Sequence, residues 1–484
     1  MGGRPNIIFI FTDDQRIDTI SALGCEEIET PNLDRLVEMG TSFTQAHIMG
    51  GTHVAVCMPS RAMLLTGRSL FSLDCQGQRI PPEHITFPEL FRQHGYKTCH
   101  VGKWHQDVES HGRAFDTARK IFGFRNLGWY EACNGHWHTP VFDHDPTGQY
   151  EQDTYYHDPP LEDYKRPFET TKEEGRHSAE VFTDAAIEFI REQKDGEPYL
   201  LYLAHLAPHD PRQYPAKLAS RYNTETVSLP ENFMTTHPFD NGEMYARDEL
   251  LEAMPRRPEA VNQHLADYYA IISHVDEQVG RILDELEQSG EINNTIIIFA
   301  GDNGLACGQH GLMGKQNLYE HSIRVPLILS GPGIPCNVRR DASCYLSDIF
   351  PTLCELLEID CPDTVEGKSL VPALTDSSEK IRECLHFAYR GVQRSIKQDQ
   401  MKLIEYVVDG KRATQLFDLS SDPLELTNLA DEPHMGETIK ELRLELQRWQ
   451  NDFNDTGIAG ESFWSSFNNQ EKLGPWKPGS HALA

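Results

Sequence analysis

The 484-residue chain carries 44 basic against 74 acidic side chains, a formal charge of −30. A surface so acidic repels nucleic acid and anionic membranes, which excludes both as partners. Apolar residues at 39% and charged residues at 24% are ordinary for a folded globular chain, and no run approaches the length of a membrane-spanning helix.

The elements follow in chain order. Residues 1–5 contain no apolar leader core. The expectation is therefore a cytoplasmic protein if the chain is complete as given, and a periplasmic or secreted one if a signal peptide has been removed. Residues 6–11, N-I-I-F-I-F, are apolar on both faces and end in T-D-D, which predicts a central parallel strand covered on both sides. A helix is predicted over 31–40, a strand over 43–48, and a helix over 59–66 with Pro59 in its first turn and Gly67 at its end. Residues 87–94 predict a helix and 96–101 a strand. Residues 177–193 show helical periodicity, 199–204 form a second buried strand, 266–287 a long helix, 295–300 a third strand and 326–329 a fourth.

Strands alternating with helices predict an α/β fold with a large, mostly parallel central sheet sandwiched by helices. Two stretches break the pattern, 106–176 and 223–257; the first is expected to form loops over the mouth of a site. From about residue 384 the texture changes to short strands, 401–407 and 414–419, followed by a helix over 435–451. The division expected is a catalytic domain over 1–380 and a small C-terminal α+β subdomain over 381–484. Eleven cysteines with no C-x-x-C pair argue against a zinc or thioredoxin-like motif. Isolated reduced thiols are the expectation for most of them, and a bridge such as Cys336–Cys344 has no support in the spacing.

Ligands in open α/β sheets collect at the carboxyl ends of strands. Three predicted strands end in chemistry: Asp13-Asp14, His205 within A-H-L-A-P-H-D, and Asp302-Asn303 within G-D-N-G. Each pair also reads alone as a helix cap or a turn. Together they form an oxygen-rich donor set that suits Ca²⁺, with Mg²⁺ second, and not Zn²⁺. Lys103 and His105 in G-K-W-H are two apart in an extended segment and share one face. Lys315 follows in G-K-Q-N-L-Y-E.

One cysteine stands apart. Cys57 opens the run C-M-P-S-R-A-M-L-L-T-G-R at 57–68. That run, with N-I-I-F-I-F-T-D-D, T-P-N-L-D-R-L, G-K-W-H, A-H-L-A-P-H, G-D-N-G, G-K-Q-N-L-Y-E, R-V-P-L-I-L-S-G-P-G and the late L-F-D-L-S-S-D-P-L-E-L-T-N-L-A, resembles the type I sulfatases of the alkaline-phosphatase-like superfamily, bacterial carbohydrate sulfatases among them. The resemblance spans essentially the whole chain. It implies that a maturation enzyme oxidises Cys57 to formylglycine, whose hydrate is the nucleophile. It implies Asp13, Asp14, Asp302, Asn303 and residue 57 as Ca²⁺ ligands and Arg61 as the holder of the hydrate. Lys103, His205 and Lys315 would meet the sulfate or the leaving oxygen, and His105 would take the proton of the second hydroxyl.

A geminal diol releases bound sulfate where a thiol cannot, because loss of the second proton expels sulfate and restores the aldehyde. His205 suits protonation of the departing alcohol. His209, Asp210, Arg212 and His310 are expected to line the substrate pocket. The substrate expected is a sulfated small molecule or oligosaccharide. The alternative is a phosphonate monoester or phosphodiester hydrolase of the same superfamily, against which G-K-W-H and the Asn at 303 both speak.

Overall fold

The computed structural model describes residues 4–122, 150–151, 176–193, 196–468 and 474–475. The strands that carry the fold are β1 (Asn6–Thr12), β2 (Gly40–Phe43), β3 (Gly50–Gly51), β4 (Lys97–Lys103), β5 (Thr117–Phe122), β6 (Tyr199–Ala204), β7 (Thr295–Gly301), β8 (Leu327–Ser330), β9 (Val338–Arg340), β10 (Cys384–Tyr389), β11 (Gln393–Gln398), β12 (Met401–Val408), β13 (Lys411–Asp418) and β14 (Gly474–Pro475). The helices used below are α1 (Pro31–Met39), α2 (Cys57–Thr66), α3 (Phe87–Gln93), α4 (Ser178–Arg191), α5 (Pro258–Gln288), α6 (Gly436–Asp452) and α7 (Ile458–Asn468).

The large sheet has eight strands in the order β9-β2-β8-β7-β1-β6-β4-β5, and only β8 runs against its neighbours. All seven residues of β1 are buried. Their parity sorts them: Phe9 and Phe11 join Tyr202 and α2-side residues such as Met63 and Leu64 in one apolar cluster. Ile8 and Ile10 join Leu201, Leu203 and residues of α1, α4 and α5 in the other. Each such side chain contributes about 1.5–3 kcal/mol by leaving water, which is why a strand apolar on both faces holds the centre. α1 is capped by a side chain of α5: Asp276 accepts hydrogen bonds from the backbone N–H groups of Asn32 at 3.0 Å and Leu33 at 2.7 Å, fastening the N-terminus of α1 to α5.

The second sheet has the order β14-β13-β12-β11-β10-β3. Its edge reaches back to the segment before α2, where Gly50 pairs with Ala388 and Gly51 with Tyr389. A Cβ at Gly50 would lie 2.1 Å from the Ala388 carbonyl oxygen, so the pairing requires glycine. A buried ion network joins the two sheets: Glu320 accepts from Lys397 and Lys402, each at 2.9 Å, and Lys402 also meets Glu425 at 2.7 Å. Glu425, in the late motif, accepts the backbone N–H of Glu320 at 2.8 Å. One apolar cluster runs from Phe9 through Phe387 to Trp449, across the division expected at residue 380.

The predicted elements shift at their ends. α2 begins at Cys57 and not at Pro59, and α5 begins at Pro258, eight residues before the expected 266. The strand expected over 43–48 is two pieces, Gly40–Phe43 and Ala46–His47. Most of the 106–176 stretch lies outside the described residues. Cys336 and Cys344 are free thiols, as are the other cysteines among the described residues. No helix among the described residues is long and apolar enough to cross a membrane.

Candidate active site

The parallel register brings the strand ends together. Thr12 pairs with Gly301, and the Asp302 N–H donates to the Thr12 carbonyl at 3.0 Å, so Asp13-Asp14 and Asp302-Asn303 leave the sheet side by side. Asp14 sits at φ 67°, a strained position for a non-glycine residue. Its N–H donates to Asp302 Oδ1 at 3.0 Å and its carbonyl accepts from the buried Tyr268 hydroxyl at 2.6 Å, which together hold it there. On β4, Gly102 has φ 98° and a Cβ would lie 2.0 Å from the Ala204 carbonyl oxygen. The strand bulges between Val101 and Lys103 as a result, and Lys103 turns into the site.

Cys57, the first residue of α2, faces this cluster. Its Sγ lies 3.3 Å from His105 Nδ1 and 3.7 Å from Lys103 Nζ. Ligand atoms of Asp13, Cys57 and Asp302 fall within 4.8 Å of one another, as do those of Asp13, Asp14 and His209. Lys103 donates to Asp13. Lys315 donates to Asp14 Oδ1 at 2.5 Å, and Asn303 Nδ2 to the same oxygen at 2.6 Å. Arg61 stacks 4.8 Å over the Phe11 ring and donates to Asp302 Oδ2 through Nε at 2.9 Å, with Nη2 ion-paired 2.8 Å from the same oxygen.

Three carboxylates and three cations are thus packed in a buried volume, and their titration follows. Burial raises Asp13, but Lys103, His209, Arg61 and Lys315 outweigh it and hold the group well below the usual carboxylate range. Burial and the Asp13 charge push Asp302 up to about 7. Burial pushes the Cys57 thiol up to about 11 against the pull of Lys103 and Lys315. A thiol so protonated is a poor nucleophile. Burial, then Lys103 and Arg61, keep His105 well below the usual imidazole range, so it is neutral and able to accept a proton. Two buried oxygens, Asp13 Oδ1 and Asn303 Oδ1, have no hydrogen-bond partner. Orphaned carboxylate and amide oxygens beside a carboxylate that resists ionisation are what a hard divalent cation would satisfy.

Two of the histidines lie elsewhere than expected. His205 does not join the cluster. Its backbone continues β6, its N–H donating to the Phe11 carbonyl at 2.7 Å, but its ring is fully buried on the α4–α5 side, 6.4 Å from the Phe182 ring. Its electrostatic neighbours are His274 on α5 and His177 before α4. His209, four residues on, takes the place expected for it: Nε2 lies 3.7 Å from Asp14 Oδ2 and Nδ1 donates to the Asp210 carbonyl at 2.8 Å.

Asp210 is buried beside His209 and pairs with Arg247, a residue within the 223–257 stretch that no sequence signal singled out. Arg212 is turned inward, 2.9 Å from His264 Nδ1 and over the Tyr268 ring, so it supports Asp210 electrostatically and does not line an open pocket. His310 also departs from expectation: it stacks on Tyr319 with centroids 4.0 Å apart and meets Asn232 Nδ2 at 3.3 Å, a packing role under the second sheet.

The site and fold can be set against known proteins. A family model described as Sulfatase matches residues 5–359, and one described as N-sulphoglucosamine sulphohydrolase, C-terminal, matches residues 308–452. The chain is similar to an arylsulfatase of Clostridium perfringens, 30% identical over 91% of this chain and 93% of the relative. It is similar to an N-acetylglucosamine-6-O-sulfatase of Bacteroides thetaiotaomicron, 28% identical over 93% of this chain and 87% of the relative. Among solved structures, a complex with the substrate D-glucosamine-2-N,6-O-disulfate shares the fold at TM-score 0.70 and 23% identity, covering 94% of this chain and 99% of that one. A phosphonate monoester hydrolase of Agrobacterium radiobacter shares it at TM-score 0.73 and 22% identity, over 93% and 96%.

Proposed function

The chain belongs to the sulfatase family and is a sulfuric ester hydrolase, and we propose that it removes sulfate from a sulfated carbohydrate through a formylglycine at position 57 and a bound calcium ion. One observation carries the reading: Cys57, at the N-terminus of α2, lies within 3.7 Å of Lys103 Nζ and 3.3 Å of His105 Nδ1, beside a carboxylate and amide cluster with two unsatisfied oxygens.

Asp13, Asp14, Asp302 and Asn303 would hold calcium, with magnesium the weaker fit, and position 57 would add a ligand. Calcium there supplies positive charge beside the sulfate, and the formylglycine hydrate, made by a maturation enzyme, supplies the oxygen nucleophile. The Cys57 Sγ stands in for that oxygen. Lys103, Lys315 and Arg61 offset the three carboxylates, so with the dication held there the site would be net positive and the monoanionic ester would meet attraction and not repulsion. Arg61, locked by Asp302 and Phe11, fixes α2 and with it position 57. His105 takes a proton from position 57. His209, and not His205, gives a proton to the departing alcohol: its Nδ1–H is committed to Asp210, which presents Nε2 to the site.

The relatives' substrates make 6-sulfated N-acetylglucosamine the first compound to test. Sulfate release from it, from other defined sulfated monosaccharides and from a phenylphosphonate ester should be measured side by side. Preference for a sulfated sugar supports the reading, and a large preference for the phosphonate overturns it.

A further inference from the structure

We propose that Cys384, His386 and Glu445 form a transition-metal site of the zinc class, separate from the catalytic cluster, which ties α6 to the second sheet. Cys384 and His386 are two apart on β10 and point to one face. Glu445 and Trp449 are four apart on α6 and share the facing stripe. Trp449 stacks on His386 at 4.8 Å and 10°, fixing the imidazole plane, and the His386 N–H donates to the Tyr345 hydroxyl at 2.6 Å, fixing the backbone. In that pose His386 Nε2 lies 4.0 Å from Cys384 Sγ, and one ligand atom from each of the three residues falls within 4.8 Å of the others. An ion about 2.3 Å from sulfur and about 2.1 Å from nitrogen spans such a gap.

The ligand chemistry selects the metal class. One thiolate, one imidazole and one carboxylate suit zinc and its neighbours, not the all-oxygen preference of calcium. A thiolate and a carboxylate cancel a divalent charge, so the loaded site is neutral, which a half-buried position tolerates. Cys384 enters with loss of its proton to solvent. Arg448 engages Glu445 Oε2 at 2.8 Å from an exposed position and leaves Oε1 for the ion. All three residues line a cavity of about 340 Å³ that also touches Lys368, Arg382 and Ser69. That space accommodates a water as fourth ligand.

The location gives the site its consequence. β10 pairs with β3, which leads into α2, so an ion here braces the sheet edge behind the nucleophile.

The test uses full-length protein with calcium present. Cobalt(II) serves as the probe, because thiolate ligation produces a near-ultraviolet charge-transfer band. One equivalent should develop that band in the unmodified protein and in Cys57→Ala. It should be absent in Cys384→Ser and require at least about tenfold more cobalt in His386→Gln. Zinc should displace cobalt and raise the melting temperature of the unmodified protein but not of Cys384→Ser. If Cys384→Ser does not fold, Glu445→Gln on the outer face of α6 carries the test, with at least about tenfold weaker binding expected. A band that survives in Cys384→Ser, disappears in Cys57→Ala, is unchanged in Glu445→Gln, or never forms overturns the proposal.

Discussion

His209 and His205 lie in one short motif, yet the structure assigns them opposite fates, and a paired substitution separates them. His209 has its Nδ1 committed to the Asp210 carbonyl at 2.8 Å and its Nε2 3.7 Å from Asp14. A positioned general acid contributes about 10²–10⁴-fold, which is about 2.7–5.5 kcal/mol of barrier. His209→Ala should therefore lower kcat on a sugar sulfate by that factor, measured by sulfate release at saturating Ca²⁺. On 4-nitrophenyl sulfate, whose leaving group needs no proton, the loss should be smaller by at least about tenfold.

His205 is fully buried, and burial, with His274 beside it, pushes it down to about 3, so it stays neutral at every working pH. His205→Asn should keep kcat within about threefold and show its effect as a lower melting temperature. A large kcat loss in His205→Asn with little in His209→Ala would refute the assignment. Equal losses on both esters in His209→Ala would remove the acid role.

Other predictions follow from other parts of the molecule. Removing Ca²⁺ with a chelator should abolish activity and lower the melting temperature, because binding at 100-fold over Kd contributes about 2.7 kcal/mol to stability; no change in either would take the metal out of the account. Arg394 donates to Asp455 at 2.6 and 2.9 Å with both side chains fully buried, and Asp455 also accepts from Trp464 on α7 at 2.7 Å. Arg394→Ala leaves an uncompensated buried carboxylate and should cost about 3–5 kcal/mol in urea unfolding; a cost under about 1 kcal/mol would show the pair to be dispensable. Asp276→Ala strands the Asn32 and Leu33 N–H groups and should cost about 1–3 kcal/mol while leaving kcat intact. A fall in kcat without loss of stability would contradict that purely structural role.

What could be read from the sequence was local. The strands at 6–12, 199–204 and 295–301 announce themselves because every position is buried, so apolar character is unbroken. The candidate ligands Asp13, Asp14, Asp302 and Asn303 follow because they terminate such strands. β10 and β11 were not foreseen. β11 buries Arg394 and Lys397, and their partners, Asp455 and Glu320, lie at least 61 residues away.

His310 looked like a pocket residue only until Tyr319, nine positions on, was placed against its ring. The exchange of His205 for His209 has the same origin. The chain leaves β6 in strand geometry and puts His205 on the helix-covered side, and only after the turn does it return toward Asp14. Arg247 was invisible for want of a partner, since its value depends on Asp210 being beside it.

Residue 57 is proposed to work as formylglycine and not as cysteine. Intact-mass analysis of active protein, followed by peptide mapping of 57–68, tests it directly. A residue about 18 Da lighter than cysteine (–CH₂SH to –CHO) is expected, with specific activity proportional to the converted fraction and no turnover in Cys57→Ala. Full activity in a preparation whose residue 57 is wholly unmodified thiol, or in Cys57→Ala itself, would contradict it.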